Sequence, residues 1–335
     1  MRKRTWISLA VVAVAIAALI VIVAVRKKAP PEVARLLPEA DAIVYFNVKP
    51  LRTLTHFDQH PVAHDPGYQA FIDATGIEFE RDLDQAAFAI HRMADPNGPN
   101  GPVAYSEVFQ GHFNGERLTA WLAAHAHPME TYAGHDIYAI AHDGRTVRVA
   151  ILGYDLVAAS NTPTPEQIHS MIDRYHSAAS PFSGDTLLSH YYSDVPLLSE
   201  VWGIGELGLP LASGKQFHVL GLSLPLPTDA TFIASIRFLG TLHLRLEQIA
   251  DSPQAAKQSA ELATVVLRLL RATQVSANPQ DQTAQDWQSL LHSVVIEQKS
   301  NRAIVRADVP VRLVRNLLSG TAAASDATTA PQGLN

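Results

Sequence analysis

Residues 135–175, HDIYAIAHDGRTVRVAILGYDLVAASNTPTPEQIHSMIDRY, carry the pattern from which the fold is read. Residues 136–140 and 147–152 are short runs of β-branched, aromatic and small apolar side chains, and the second turns at Gly153-Tyr154-Asp155 into 156–159. Such side chains suit a pleated, half-buried surface, so these runs read as strands. Then the period changes. Thr164-Pro165-Glu166-Gln167 has the form of a capping box with proline at the first helical position, where its missing N–H costs nothing. Ile168, Met171, Ile172 and Tyr175 follow at i, i+3, i+4 and i+7, one apolar stripe of a helix.

The same strand, strand, helix unit recurs along the chain. Residues 87–91 and 103–109 read as strands, Asn114 as a cap, and Leu118, Trp121 and Leu122 as a stripe. Residues 231–238 and 241–246 precede a helix opened by Ser252-Pro253, with Leu262, Val266, Leu269 and Leu270 on one face. Arg268 and Arg271 suit the negative end of that helix's dipole. Residues 294–298 and 303–309 straddle a turn at Ser300-Asn301, and Val311, Val314, Leu317 and Leu318 form the last stripe. A leading strand over 40–48, stopped at Pro50, is echoed by 201–205. The fold class expected is α+β: a duplicated antiparallel sheet with helices packed on one face, its halves spanning 39–178 and 179–319.

A membrane anchor precedes this region. Residues 6–25 hold no charged side chain and lie between Arg2-Lys3-Arg4 and Arg26-Lys27-Lys28. Twenty helical residues span about 30 Å, the thickness of a bilayer's hydrocarbon core, where every backbone amide must bond within its own segment. A cleaved signal peptide would have a shorter apolar region followed by small residues, and no Ala-x-Ala separates the run from its basic flank. Residues 1–28 are therefore read as a cytoplasmic stub and single transmembrane helix. Basic residues flank both ends equally, so orientation rests on length: the five-residue amino-terminal tail stays cytoplasmic and the long remainder crosses. Ala29-Pro30-Pro31 opens a stiff linker over 29–38. Residues 320–335 are Ala, Thr, Ser and Gly with one charge, and read as a disordered tail.

Composition narrows the partners. Residues 29–335 hold 20 basic against 32 acidic side chains, a formal net charge of −12, which repels phosphate backbones and excludes nucleic acid. The absence of cysteine removes disulfides, thiolate catalysis and Cys-ligated zinc. The partners expected are the lipid bilayer, through 6–25, and a protein of the cell envelope.

Chemistry-bearing motifs are weak. Gly203-Ile204-Gly205-Glu206-Leu207-Gly208 spells a dinucleotide fingerprint, but Leu209-Pro210-Leu211 follows where a helix is required, so a loop needing small residues is expected. His56, His60 and His64 stand at i, i+4 and i+8 with Asp58 and Asp65 between and beside them, a spacing suited to zinc on a continuous helix. Pro61 breaks such a helix, and a solvated loop is expected instead. Residues 95–102 are turn formers joining two strands, and 216–224 reads as a strand within an apolar, proline-rich segment. No Gly-x-Ser-x-Gly, His-Glu-x-x-His or Walker-type loop occurs. No catalytic, cofactor-binding or metal-ligating residue is nominated, and no cofactor is expected.

Leu36-Leu37-Pro38-Glu39-Ala40, continuing through Asp41-Ala42-Ile43-Val44-Tyr45-Phe46-Asn47-Val48 to Pro50-Leu51-Arg52, resembles the opening of a group of bacterial membrane-anchored proteins with a repeated α+β extracytoplasmic domain. Tyr132-Ala133-Gly134-His135-Asp136-Ile137-Tyr138, Gly144-Arg145 and Val157-Ala158-Ala159-Ser160 are similar to that group's middle section. The resemblance covers half the chain and implies a bacterial envelope setting, at the inner membrane, but no activity. The function expected is a non-enzymatic interaction or scaffold module tethered to the membrane. A binder of an apolar ligand is the alternative, and a hydrolase or metal enzyme assembled across the halves the third reading.

Overall fold

The computed structural model describes residues 29–313 apart from 56–57, 59–63, 99, 128, 143, 178–183, 207–215, 220–221, 226–229 and 275–281. The anchor 6–25, His56, His60, residues 314–318 of the last stripe and the tail 320–335 fall outside the described residues. Among those described, no helix is long and apolar enough to cross a membrane.

Twelve strands form one antiparallel sheet. The first half runs α1 (Glu32–Arg35), β1 (Ala42–Asn47), α2 (Val48–Thr55), α3 (Pro66–Thr75), α4 (Phe79–Asp82), β2 (Leu83–Arg92) and β3 (Val103–Gly111). It continues with α5 (Gly115–His125), β4 (Met129–Tyr132), β5 (His135–His142), β6 (Arg145–Ile151), β7 (Leu156–Ser160) and α6 (Glu166–His176). The second half runs α7 (Thr186–Tyr191), β8 (Val201–Glu206), a separate hairpin of β9 (Gln216–Val219) and β10 (Leu222–Pro225), then β11 (Thr231–Phe238) and β12 (Leu242–Ile249). It ends with α8 (Pro253–Gln274), α9 (Gln282–Ser293), β13 (Val295–Lys299) and β14 (Arg302–Val309). The strand order is β13-β14-β12-β11-β8-β1-β2-β3-β7-β6-β5-β4. Outward from the central β1–β8 pair, each half places its first, second, third, last and next-to-last strands in that sequence, with β5 and β4 extending one edge.

Strand registry fixes what each face carries. On one face Tyr45, Ala87, Val108, Ala158, Ala150 and Ile137 lie side by side on six strands. Helices α1, α6 and α7 cover this row, adding Val33, Leu36, Leu37, Ile168, Met171, Ile172 and Leu188 to the main core. The alternate residues point the other way, since side chains in a strand have period 2. There Tyr138, Val149, Ile151 and Val157 meet Leu118 and Leu122 of α5 and Phe71 of α3. Helices therefore lie on both faces, not on one. The cause is in the strands: β5 and β7 are apolar on both sides, and each side needs its own cover.

Two further expectations, on residues 29–38 and on helix α8, are corrected. Residues 29–38 are not a linker throughout, because Val33, Ala34, Leu36 and Leu37 are fully buried and α1 plugs the core. Ile43, Ile204 and Ile233 sit in one row of a core that both halves share. Helix α8 turns its Ala256, Ala260 and Leu267 inward and leaves Leu262 and Leu269 exposed. Val266 and Leu270 of the expected stripe are half-buried, so the stripe is turned partly away from the inward face, where small alanines let the helix approach the sheet closely.

Capping is partly as read. Asn114 Oδ1 accepts from the Arg117 N–H at 3.1 Å, and Ser252 Oγ from the Ala255 N–H at 3.2 Å. Thr164, by contrast, donates its hydroxyl to the Glu166 carboxylate at 2.7 Å and leaves the start of α6 without a side-chain cap. The glycine-rich 203–206 stretch is strand β8, not a loop. At Gly205, with φ of 146°, a Cβ would stand 2.4 Å from the Cα of Ala42, so the close approach of β8 to β1 needs glycine there. Leu207 and Gly208 of the fingerprint lie outside the described residues.

Candidate functional site

A cavity of about 1030 Å³ opens on the first face where helical cover ends. Its wall is aromatic: Tyr45 stacks on Trp202 with ring centroids 5.3 Å apart, and Tyr192 meets Trp202 edge-on at 5.3 Å. The registry of β1 and β8 sets Tyr45 opposite Trp202. Burial pushes the Tyr45 hydroxyl well above the usual phenol range and raises that of Tyr192, so both stay neutral. Leu188 and Val195 add apolar wall, and Ala29, Pro30 and Pro31 line the rim.

The floor is charged. Next to Trp202 across the sheet come Ser235, then Arg245, then Arg306, where the other half of the row is aliphatic. Arg245 lines the cavity and pairs with Glu247, a fully buried carboxylate that also binds Arg302. Arg302 reaches Asp194 at 3.0 Å, and that contact and Glu247 hold its guanidinium above its ordinary value. Arg245 Nε is buried and has no hydrogen-bond partner. An unpaired buried N–H is costly, so a donor aimed beside an aromatic-walled space is what an acceptor group on a ligand would satisfy.

The arrangement closest in shape to catalytic machinery is sealed. His91 Nε2 lies 2.9 Å from Ser106 Oγ, Ser106 lies 3.2 Å from Ser160 Oγ, and Ser160 reaches Thr162 Oγ1 at 2.9 Å. Burial holds the His91 imidazole below its ordinary value, against the opposing pull of Asp41 and a bond to the Glu39 carbonyl. All four side chains are buried, so the chain ties β2, β3 and β7 together and no substrate reaches the serine.

On the opposite face, Glu107 stands between Tyr105 and Phe109 on β3 and opposite Phe88 and Ala159. Burial alone pushes its carboxyl up to about 7. The signal was in the sequence: Val103, Tyr105, Glu107 and Phe109 alternate onto one face, and the acid is the odd member.

Of the candidate histidine ligands, only His64 is described. It sits with Glu78 and Glu80, whose ligand atoms and its own lie within 4.8 Å of one another. These carboxylates are engaged: Glu80 accepts from the Tyr68 hydroxyl at 2.8 Å and Glu78 pairs with Arg81 at 3.1 Å. His64 Nε2 stands 3.4 Å from Glu80.

No family model and no curated protein matches the chain. Among solved structures it is similar to TP0453 in crystal form IV, with TM-score 0.48 and 12% identity over 86% of this chain and 96% of that one. Crystal form III of TP0453 gives TM-score 0.46 and 13% identity over 87% and 99%. A similarity so slight carries no conclusion about fold or activity.

Proposed function

We propose that the chain is a non-enzymatic interaction module of the bacterial cell envelope, tethered by residues 6–25 and lying outside the cytoplasm. The observation that carries the interaction reading is on α8, where Leu262, Val265 and Leu269 are 45%, 51% and 54% exposed at i, i+3 and i+7. Such a stripe on a long helix is a surface that a partner buries. The tether is carried by the uncharged run and its basic flanks. The shared strand order outward from β1 and β8 supports reading the halves as copies of one unit. A photo-crosslinking residue in place of Val265 should yield a discrete heavier species in membranes, and the same residue in place of exposed Asn97 should not. Equal silence at both positions would remove the interaction reading. A reporter active only in the cytoplasm, fused after Asn335, should stay silent.

A second reading is a binder of an apolar ligand in the 1030 Å³ cavity, favoured by its aromatic wall and the unpartnered Arg245 Nε. A brominated fatty acid should then quench a fraction of tryptophan emission that Trp202→Phe abolishes. Quenching unaltered by that substitution would place any binding elsewhere.

A further inference from the structure

The turn Pro196-Leu197-Leu198-Ser199 presents two leucines to solvent, 57% and 75% exposed. It is closed by the Ser199 N–H and hydroxyl, which donate to the Pro196 carbonyl at 3.3 and 2.7 Å. Leu198 has a φ of 65°. A turn with positive φ at its third position takes glycine or asparagine, because a Cβ there meets backbone. Here a bulky apolar residue occupies the strained position and is also left in water. Two unfavourable choices at one place point to a contact outside the chain. The turn is firmly mounted: Val195, immediately before it, is buried in the main core and its N–H bonds the Tyr192 carbonyl at 3.1 Å.

What lies against this turn is set by the start of the folded region. Leu197 and Leu198 line the same cavity as Ala29, Pro30 and Pro31. The uncharged run ends at Val25, four residues before Ala29, so Ala29 lies no more than about 14 Å along the chain from it. Arg26, Lys27 and Lys28, between the two, belong at headgroup level. Resting on the tethering reading above, we propose that Leu197 and Leu198 are a second membrane contact, seated in the interface of the bilayer that holds the anchor. The tether and the leucine turn then fix two points of the domain against the lipid surface. The cavity beside Tyr45 and Trp202 opens toward that surface, and the far ends of the strands, including the β2–β3 turn at Asn97, point away.

The chain contains no cysteine, so single labels can be placed cleanly. The full chain carrying Leu198→Cys or Asn97→Cys, each with a polarity-sensitive fluorophore, would be reconstituted in phosphatidylethanolamine–phosphatidylglycerol vesicles and floated on a density gradient. Asn97 is an exposed control at the other end of the strands: the turn adjoins Glu200, whose carbonyl accepts from the Asn47 N–H, whereas residue 97 follows the β2 end paired with Ala42. The expected result is a blue-shifted emission at position 198, lost for the most part when nitroxide-labelled lipid is added, with emission at position 97 unchanged. Flotation with equal, water-like emission at both positions overturns the docking and leaves the tether standing. Failure to float overturns both. Circular dichroism of each labelled chain, matching that of the unsubstituted chain, establishes that the fold is retained.

Discussion

Replacing Glu107 with glutamine should change the pH dependence of stability in a defined way. The carboxyl rises from 4.5 to about 7 because burial disfavours its charged form. The folded state therefore holds its proton more tightly than the unfolded chain. From pH 4.5 to about 7 the unfolded state loses that proton first, so stability falls across this window as pH rises. The full shift corresponds to about 3 kcal/mol, and water reaching a half-buried carboxylate lowers this to between about 1 and 3 kcal/mol. Glu107→Gln keeps the shape and removes the charge. At pH 4 the two proteins should be of nearly equal stability, and at pH 8 the variant should be the more stable by that amount. Chemical denaturation of the full chain in detergent micelles, at pH steps from 4 to 8, reads the difference directly. Asp185, also raised by burial, to about 6, contributes to both proteins and cancels. A constant difference across the range, or a variant that loses stability at pH 8, would refute the claim that this carboxyl is desolvated without a compensating partner.

Gly205→Ala should destabilise by about 3 kcal/mol or more, because the new Cβ meets Ala42 at 2.4 Å and the backbone has no room to give; a melt within a degree of the parent would contradict the β1–β8 geometry. Leu267→Ala should cost about 2–4 kcal/mol, whereas Leu269→Ser on the exposed side should change stability by less than about 0.5 kcal/mol; the reverse order would restore the helix phase expected from residue size. Zinc, nickel or cobalt in modest excess should leave the melting temperature unchanged, since Glu78 and Glu80 are held by Arg81 and Tyr68. A rise abolished by His64→Ala would instead establish a site, because binding stabilises in proportion to the logarithm of free metal over its dissociation constant.

Strands were the most legible part of this fold. β11 begins and ends where it is read, at Thr231 and Phe238. Helices were read well where large residues make the inward stripe, as in α5 and α6, and wrongly where alanine makes it, as in α8. Helix α3 had its signals in plain view. Asp65 accepts from the Gly67 and Tyr68 N–H groups, Pro66 opens the helix, and Gly76 closes it with φ of 74°. The cavity was not legible, because Tyr45, Trp202 and Arg245 come from distant parts of the chain and only strand registry unites them. Sequence alternation places a residue on a face, but gives no neighbour across the sheet.

That registry also explains why the cavity lies where it does. One row crosses all twelve strands: Val295, Arg306, Arg245, Ser235, Trp202, Tyr45, Ala87, Val108, Ala158, Ala150, Ile137 and Glu130. From Tyr45 to Ile137 it is apolar, and α1, α6 and α7 bury it. Beyond Trp202 it becomes polar, and a helix laid there would have to desolvate Arg245 and Arg306. Apolar cover stops at the change of composition, and Trp202, the last apolar member before the arginines, is left at the edge with Tyr192 folded over it. The neighbouring row shows how the polar side is kept together: Ile43, Ile204 and Ile233 run into Glu247, which two arginines neutralise in the sheet's own plane. Removing one partner of a buried pair leaves an uncompensated charge, whereas the pair itself adds little to stability. Arg245 is thereby held in a fixed position at the cavity, where its Nε–H remains unspent.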